Sequence, residues 1–349
     1  MGDWGTHQPP IPVTTNPNPN SQSPIPNPQS PIPYTRRVGR TAIDTAAAFA
    51  LLAASLAAAP RDDAFAVGVL RRDGIVVPFA AFDGRRWSRP WPGAQRVGEL
   101  TVPISLSAVP KSWWGPTPPR DTWQAFLPDG TRTLRVTQPD WVDVHCGQQV
   151  ALRTDYTSSR PAAPPEAKPY PKDGLATSPP HAVEPIEIFA PDAIEARSLL
   201  PVMHTEFNEA ERRVEQEYGH PIVRRAREGV LPTIEALYAY GDGPRVYYVE
   251  AIRPYRRLGQ ALDQCAAVAS GTGWFVRDAA GIRALTMAVD LLTCRRDAAS
   301  YMLPLGVLRI DDRVYWLAQF SGWDHERYVV LELKRKSVDV VINSWAGGC

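Results

Sequence analysis

The sequence predicts a mainly β fold of antiparallel meanders with one helical insert. Three observations carry this. Short runs rich in β-branched and aromatic residues recur between Gly, Asp and Pro turns. Only one segment, 203–218, keeps a sustained helical spacing. The 36 prolines among 349 residues break long regular elements over much of the chain. Meanders of this kind allow a β-propeller-like closure; the alternative is an irregular α+β single domain.

Taken in order, residues 65–70 and 75–82 flank Arg71-Arg72-Asp73-Gly74, a hairpin pattern, and Asp83-Gly84 closes the second run. The next stretch carries Trp87, Trp91, Trp113, Trp114 and Trp123 among seven prolines, which reads as short edge strands and loops covered by tryptophan. Asp129-Gly130 turns into 131–137, and 141–146 and 149–156 continue as strands. Residues 157–185, rich in Pro, Ser and Ala, read as a surface loop. In 203–218, Met203, Phe207, Ala210, Val214 and Tyr218 share one helix face; Gly219 caps it and Pro221 stops it. A shorter helix is expected at 222–227. Strands resume at 234–240 and 246–252 around Gly241-Asp242-Gly243-Pro244, then at 274–277 and 284–289 around 278–281. Residues 305–310, 314–320, 327–333 and 337–343 form a four-stranded meander with short loops. Gly68-Val69-Leu70-Arg71 and Gly306-Val307-Leu308-Arg309 match, each feeding an acidic turn, and this match is what makes a ring of repeated blades thinkable.

Ahead of this domain, placed at 67–349, stand two segments of another kind. Residues 1–35 hold ten of the prolines, and 16–33 use only Asn, Pro, Gln, Ser and Ile. A repeated CCCAAT hexanucleotide read in shifting frames encodes those five residues, so the stretch reads as spurious translation upstream of the true start. Arg36, Arg37 and Arg40 then precede an uncharged run, 46–59, of signal-peptide length. Segment 36–66 therefore reads as a signal peptide, cleaved after Ala57 or Ala66, with an anchor over 42–60 as the alternative. Cys146, Cys265, Cys294 and Cys349 all follow it, an even number consistent with two disulfides in an oxidising compartment. The preferred pairing joins Cys265 to Cys294 and Cys146 to Cys349.

Composition narrows function further. With 44% hydrophobic residues and 21% charged, a core can form. A net charge of +1 gives no nucleic-acid footprint, and only the N-terminal segment offers a membrane contact. The basic residues are almost all Arg, with 5 Lys, a skew consistent with a GC-rich bacterial genome. No nucleophile-elbow, zinc-protease, phosphate-loop, dinucleotide or calcium-loop pattern is present, so no cofactor or metal is expected. The candidate acid–base groups are Asp324, His325 and Glu326, consecutive in a loop, with Glu250 and Asp290. Trp113, Trp114 and Trp323 are the candidate contacts for a carbohydrate or protein partner. The expected role is binding or scaffolding by an exported protein, with an extracytoplasmic hydrolase and an anchored subunit of a membrane complex as alternatives.

Overall fold

Six strands close on one another at the N-terminal end of the domain. In the computed structural model, which describes residues 64–91, 95–96, 121–144, 147–164, 167, 169–261 and 264–348, β1 (Phe65–Arg71) and β2 (Ile75–Phe82) form the expected hairpin. Two short strands, β3 (Trp87–Ser88) and β4 (Gln95–Arg96), extend the sheet at its margins. β5 (Thr122–Leu127), β6 (Gly130–Val144) and β7 (Gly147–Thr154) make a meander, and β8 (Lys172–Ser178) lies between β1 and β5. β7 returns to β2 through Ile75↔Arg153 and Val76↔Leu152, so β2-β1-β8-β5-β6-β7 is a closed, fully antiparallel barrel. All six strands contribute to one buried cluster, in which Ala66, Ala81, Ala125 and Ala176 leave room for Trp123. Small and large residues filling a narrow barrel in this way is what closure of few strands requires.

The chain then builds three further layers. α1 (Ile194–Tyr218) and α2 (Arg224–Arg227) follow β9 (Glu187–Phe189). β10 (Thr233–Tyr240), β11 (Arg245–Tyr255), β12 (Ala267–Asp278) and β13 (Gly281–Leu292) complete a five-stranded antiparallel sheet with β9 at its edge. β14 (Tyr301–Ile310), β15 (Arg313–Ser321), β16 (His325–Leu333) and β17 (Val338–Gly348) form the four-stranded C-terminal meander. Strand alternation assigns the faces. Tyr247, Val249 and Ala251 pack under α1, while Val246, Tyr248 and Trp274 face the meander. Gly271 lets α1 approach, since a Cβ there would lie 2.6 Å from the Phe207 ring. The other meander face, with Tyr315, Leu317 and Tyr328, covers the outside of the barrel. The order of layers is thus helix, five-stranded sheet, meander, barrel.

The mainly β, antiparallel reading with one principal helical insert holds, and five details change. The sheets have eight, five and four strands, one closed into a barrel and the others stacked face to face, so the matching Gly-Val-Leu-Arg runs do not mark blades of a propeller. Segment 157–185 is not all loop. It holds β8, whose Lys172-Asp173-Gly174-Leu175-Ala176-Thr177-Ser178 run has a single bulky apolar residue, Leu175, on the barrel's outer side, while small residues such as Ala176 face the interior; a Cβ on Gly174 would meet the Phe126 carbonyl at 2.1 Å. Trp123 sits on a strand paired on both sides, not at an edge, and is 1% exposed. The boundary at 66/67 cuts β1, whose first residues Phe65 and Ala66 are buried along with Ala64 before it. The helix also begins earlier than 203, running through Pro201 and burying Ala196 and Leu199 on the same stripe.

Cys265 and Cys294 form a disulfide, Cα atoms 6.0 Å apart, as expected. Cys146 and Cys349 lie outside the described residues, as do Trp113, Trp114 and the basic and apolar segment 36–60. Among the described residues no helix is long and apolar enough to cross a membrane.

Candidate functional site

At one end of the sandwich between the five-stranded sheet and the meander, the layers part around a cavity of about 970 Å³. Twisted sheets stacked face to face separate at their corners, and the loops there decide what fills the gap. Here the β10–β11 turn (241–244), the β12–β13 turn (278–280) and the β16–β17 turn (334–335) line the opening. Its floor is the end of the apolar layer, with Val246, Val276, Val314 and Leu333. Its rim carries Arg283, Arg309, Lys334 and Arg335 against Asp242 and Asp278.

These charges are not equally committed. Arg309 Nε donates to the Tyr240 hydroxyl at 2.7 Å and to Glu184 at 3.0 Å. Tyr240 in turn donates to Glu184 at 2.7 Å, and its phenol is pushed up to about 12, first by burial and then by that carboxylate. Lys334 pairs with Asp339 at 2.6 Å, and Arg283 with Asp278 at 4.0 Å. Among the described residues the Arg335 guanidinium has no ion-pair partner; its backbone carbonyl accepts a hydrogen bond from Arg283 at 2.5 Å. An apolar floor under a cationic rim with one uncommitted guanidinium suits an anion attached to an apolar body.

The acid–base residues expected from sequence separate into different environments. Glu326 is buried with Lys172, 2.6 Å away, and Tyr328 donates to the same carboxylate; the pair joins the barrel to the meander. Burial holds the Lys172 ammonium below its usual range despite the pull of Glu326. Asp290 is exposed on β13, two strands from Glu250. Glu250 accepts the Met302 N–H at 2.6 Å, and burial pushes its carboxyl up to about 7. Its neighbour Glu235 is the extra residue of a bulge between Ile234 and Ala236 and pairs with Arg296 at 2.6 Å.

Asp324 and His325 do meet. His325 Nδ1 lies 2.8 Å from Asp324 Oδ1, and Nε2 lies 3.4 Å from the Ser300 hydroxyl. Trp323 is 73% exposed in the same loop, and Trp345, 46% exposed, stacks on His325 with ring centroids 6.2 Å apart. The triplet Asp324-His325-Glu326 is therefore not one site: Glu326 turns to the barrel side of the meander, and the partner His325 takes is Ser300. Sequence reasoning missed Ser300, which lies 25 residues from His325 and outside any motif. It also missed the rim arginines, which gather from separate turns. Among the described residues no group of three side chains stands ready to hold a metal ion. Comparisons with protein-family models, curated proteins and solved structures gave no match.

Proposed function

We propose that this is an exported binding protein whose cleft between the stacked sheets takes an anionic ligand with an apolar or aromatic body. The observation that carries the reading is the cavity of about 970 Å³ with an apolar floor and the uncommitted Arg335 on its rim. Export is supported by the signal-like segment and by the Cys265–Cys294 disulfide, which an oxidising compartment maintains. Such a ligand keeps its apolar part on Val246, Val276 and Leu333 and its charge among the rim cations, and its affinity falls with added salt.

Titration of the full chain with 8-anilinonaphthalene-1-sulfonate, an aromatic monoanion, tests this. One saturable site is expected, weakened about tenfold or more by Arg335→Glu, a loss of about 1.4 kcal/mol, and unchanged by Trp323→Ala at the opposite end. Binding insensitive to Arg335→Glu, or binding lost in Trp323→Ala, contradicts the assignment.

A further inference from the structure

We propose that Ser300, His325 and Asp324 form a hydrolytic site for small esters, separate from the cleft. The cleft lies at the β14–β15 and β16–β17 turns, whereas Ser300 precedes β14, so roughly 25–30 Å of strand separates the two.

The wiring is the first argument. A carboxylate on one imidazole nitrogen and a hydroxyl on the other is what activates a serine: the acid fixes tautomer and orientation, and the free nitrogen takes the hydroxyl proton. His325 has both, Asp324 at 2.8 Å on Nδ1 and Ser300 at 3.4 Å on Nε2. A serine–histidine contact of that length tightens when substrate binds.

The second argument is how firmly each partner is held. The 293–300 loop is tied by the Cys265–Cys294 disulfide, by Arg296 on Glu235 at 2.6 Å, and by turn hydrogen bonds from Arg296 N–H to Thr293 and from Ala299 N–H to Arg296. The His325 ring is packed between Trp345 and Gly322, where an added Cβ would lie 2.5 Å from Cε1. Preorganised groups on clamped loops are what a catalytic pair needs and a solvated loop does not.

Access is the third. The His325 side chain is 23% exposed. Trp345, stacked on the imidazole, and Trp323, two residues before it, are both exposed and present apolar surface at the site, which selects an ester with an aromatic or apolar acyl or alcohol part. In the reaction, Ser300 Oγ forms a bond to the ester carbonyl carbon while His325 Nε2 takes the serine proton. The bond to the alcohol oxygen breaks, and His325 delivers that proton to it. Water then attacks the acyl-serine, giving its proton to His325 and releasing the acid; the proton returns to Ser300.

A fluorophosphonate probe tests the site, because an activated serine displaces fluoride and keeps the phosphonyl group. The full chain is expected to take up one equivalent, located by mass spectrometry on the peptide containing Ser300. Ser300→Ala, with unchanged thermal melting, is expected to take up none, and His325→Gln to react about 100-fold more slowly or worse. Asp324→Asn, a positioning change, is expected to slow labelling and displace its pH profile. An unlabelled wild-type chain, an adduct on another residue, or equal labelling of Ser300→Ala overturns the proposal. Peptide mapping of the wild-type chain decides even where a variant fails to fold.

Discussion

Glu250 shows what burial does to a single carboxyl. Its charge is removed from water among Tyr248, Tyr238 and the bulged Glu235, with one backbone N–H as compensation, and it titrates at about 7 instead of 4.5. Between those values the folded chain holds more protons than the unfolded one, so stability falls as pH rises from about 4.5 to 7 and stays lower above. We predict that Glu250→Gln, which keeps an acceptor for Met302, flattens this slope and raises stability above pH 7. The gain is a few kcal/mol at most, since a tenfold change in proton affinity is worth about 1.4 kcal/mol. Denaturant melts from pH 4.5 to 8 check it; an unaltered slope refutes it. Lys172 illustrates the opposite case, a buried charge with a charged partner. Lys172→Met leaves Glu326 and Tyr328 without their cation and is expected to cost about 3–5 kcal/mol, with much of that loss recovered in Lys172→Met/Glu326→Leu. Equal denaturation midpoints for the single variant and the wild type would show the pair to be inert. At this scale the sequence made Asp324 and His325 visible as candidates, since adjacent polar side chains in a loop can be read directly. It hid Ser300 and Lys172, whose meaning lies in partners 25 and 154 positions away.

Among the elements, periodicity recovered those with bulky apolar residues. The β10–β11 hairpin and the C-terminal meander follow their alternation closely, and α1 follows its three-four spacing from Met203 to Ala210, while Tyr218 is exposed. β12 and β13 run longer, at Ala267–Asp278 and Gly281–Leu292, than the expected 274–277 and 284–289. β8 escaped because a strand facing the inside of a six-stranded barrel is selected for small side chains, and Ala, Thr and Ser read as loop. The first turns of α1 escaped because their apolar stripe is split around Pro201. β1 bears on processing. Removal of everything through Ala66 would strip Phe65, whose ring stacks on His181 with centroids 4.2 Å apart and also meets Phe82 and Trp87. On the proposed export, N-terminal sequencing of the processed chain is expected to find a start between residues 58 and 64, in keeping with cleavage after Ala57. A start at Val67 contradicts the role given to β1.

The described β domain is a stack of layers, and stacking is what the sequence did not disclose. Each strand shows which residues alternate, but not which sheet its faces meet. Tyr247 and Tyr248, for example, serve different layers, one under α1 and the other against the meander. The turns that rim the cleft were legible one by one as Gly-Asp-Gly-Pro, Asp-Ala-Ala-Gly and Lys-Arg-Lys. Their convergence comes from face-to-face packing of two twisted sheets, which brings positions 241–244, 278–280 and 334–335 together over an apolar floor. Hydrogen–deuterium exchange of the full chain, with and without saturating 8-anilinonaphthalene-1-sulfonate, tests that convergence most directly. Protection is predicted in those three turns together and not in the 321–325 loop; protection of the loop alone, or of none of the three turns at saturation, contradicts it.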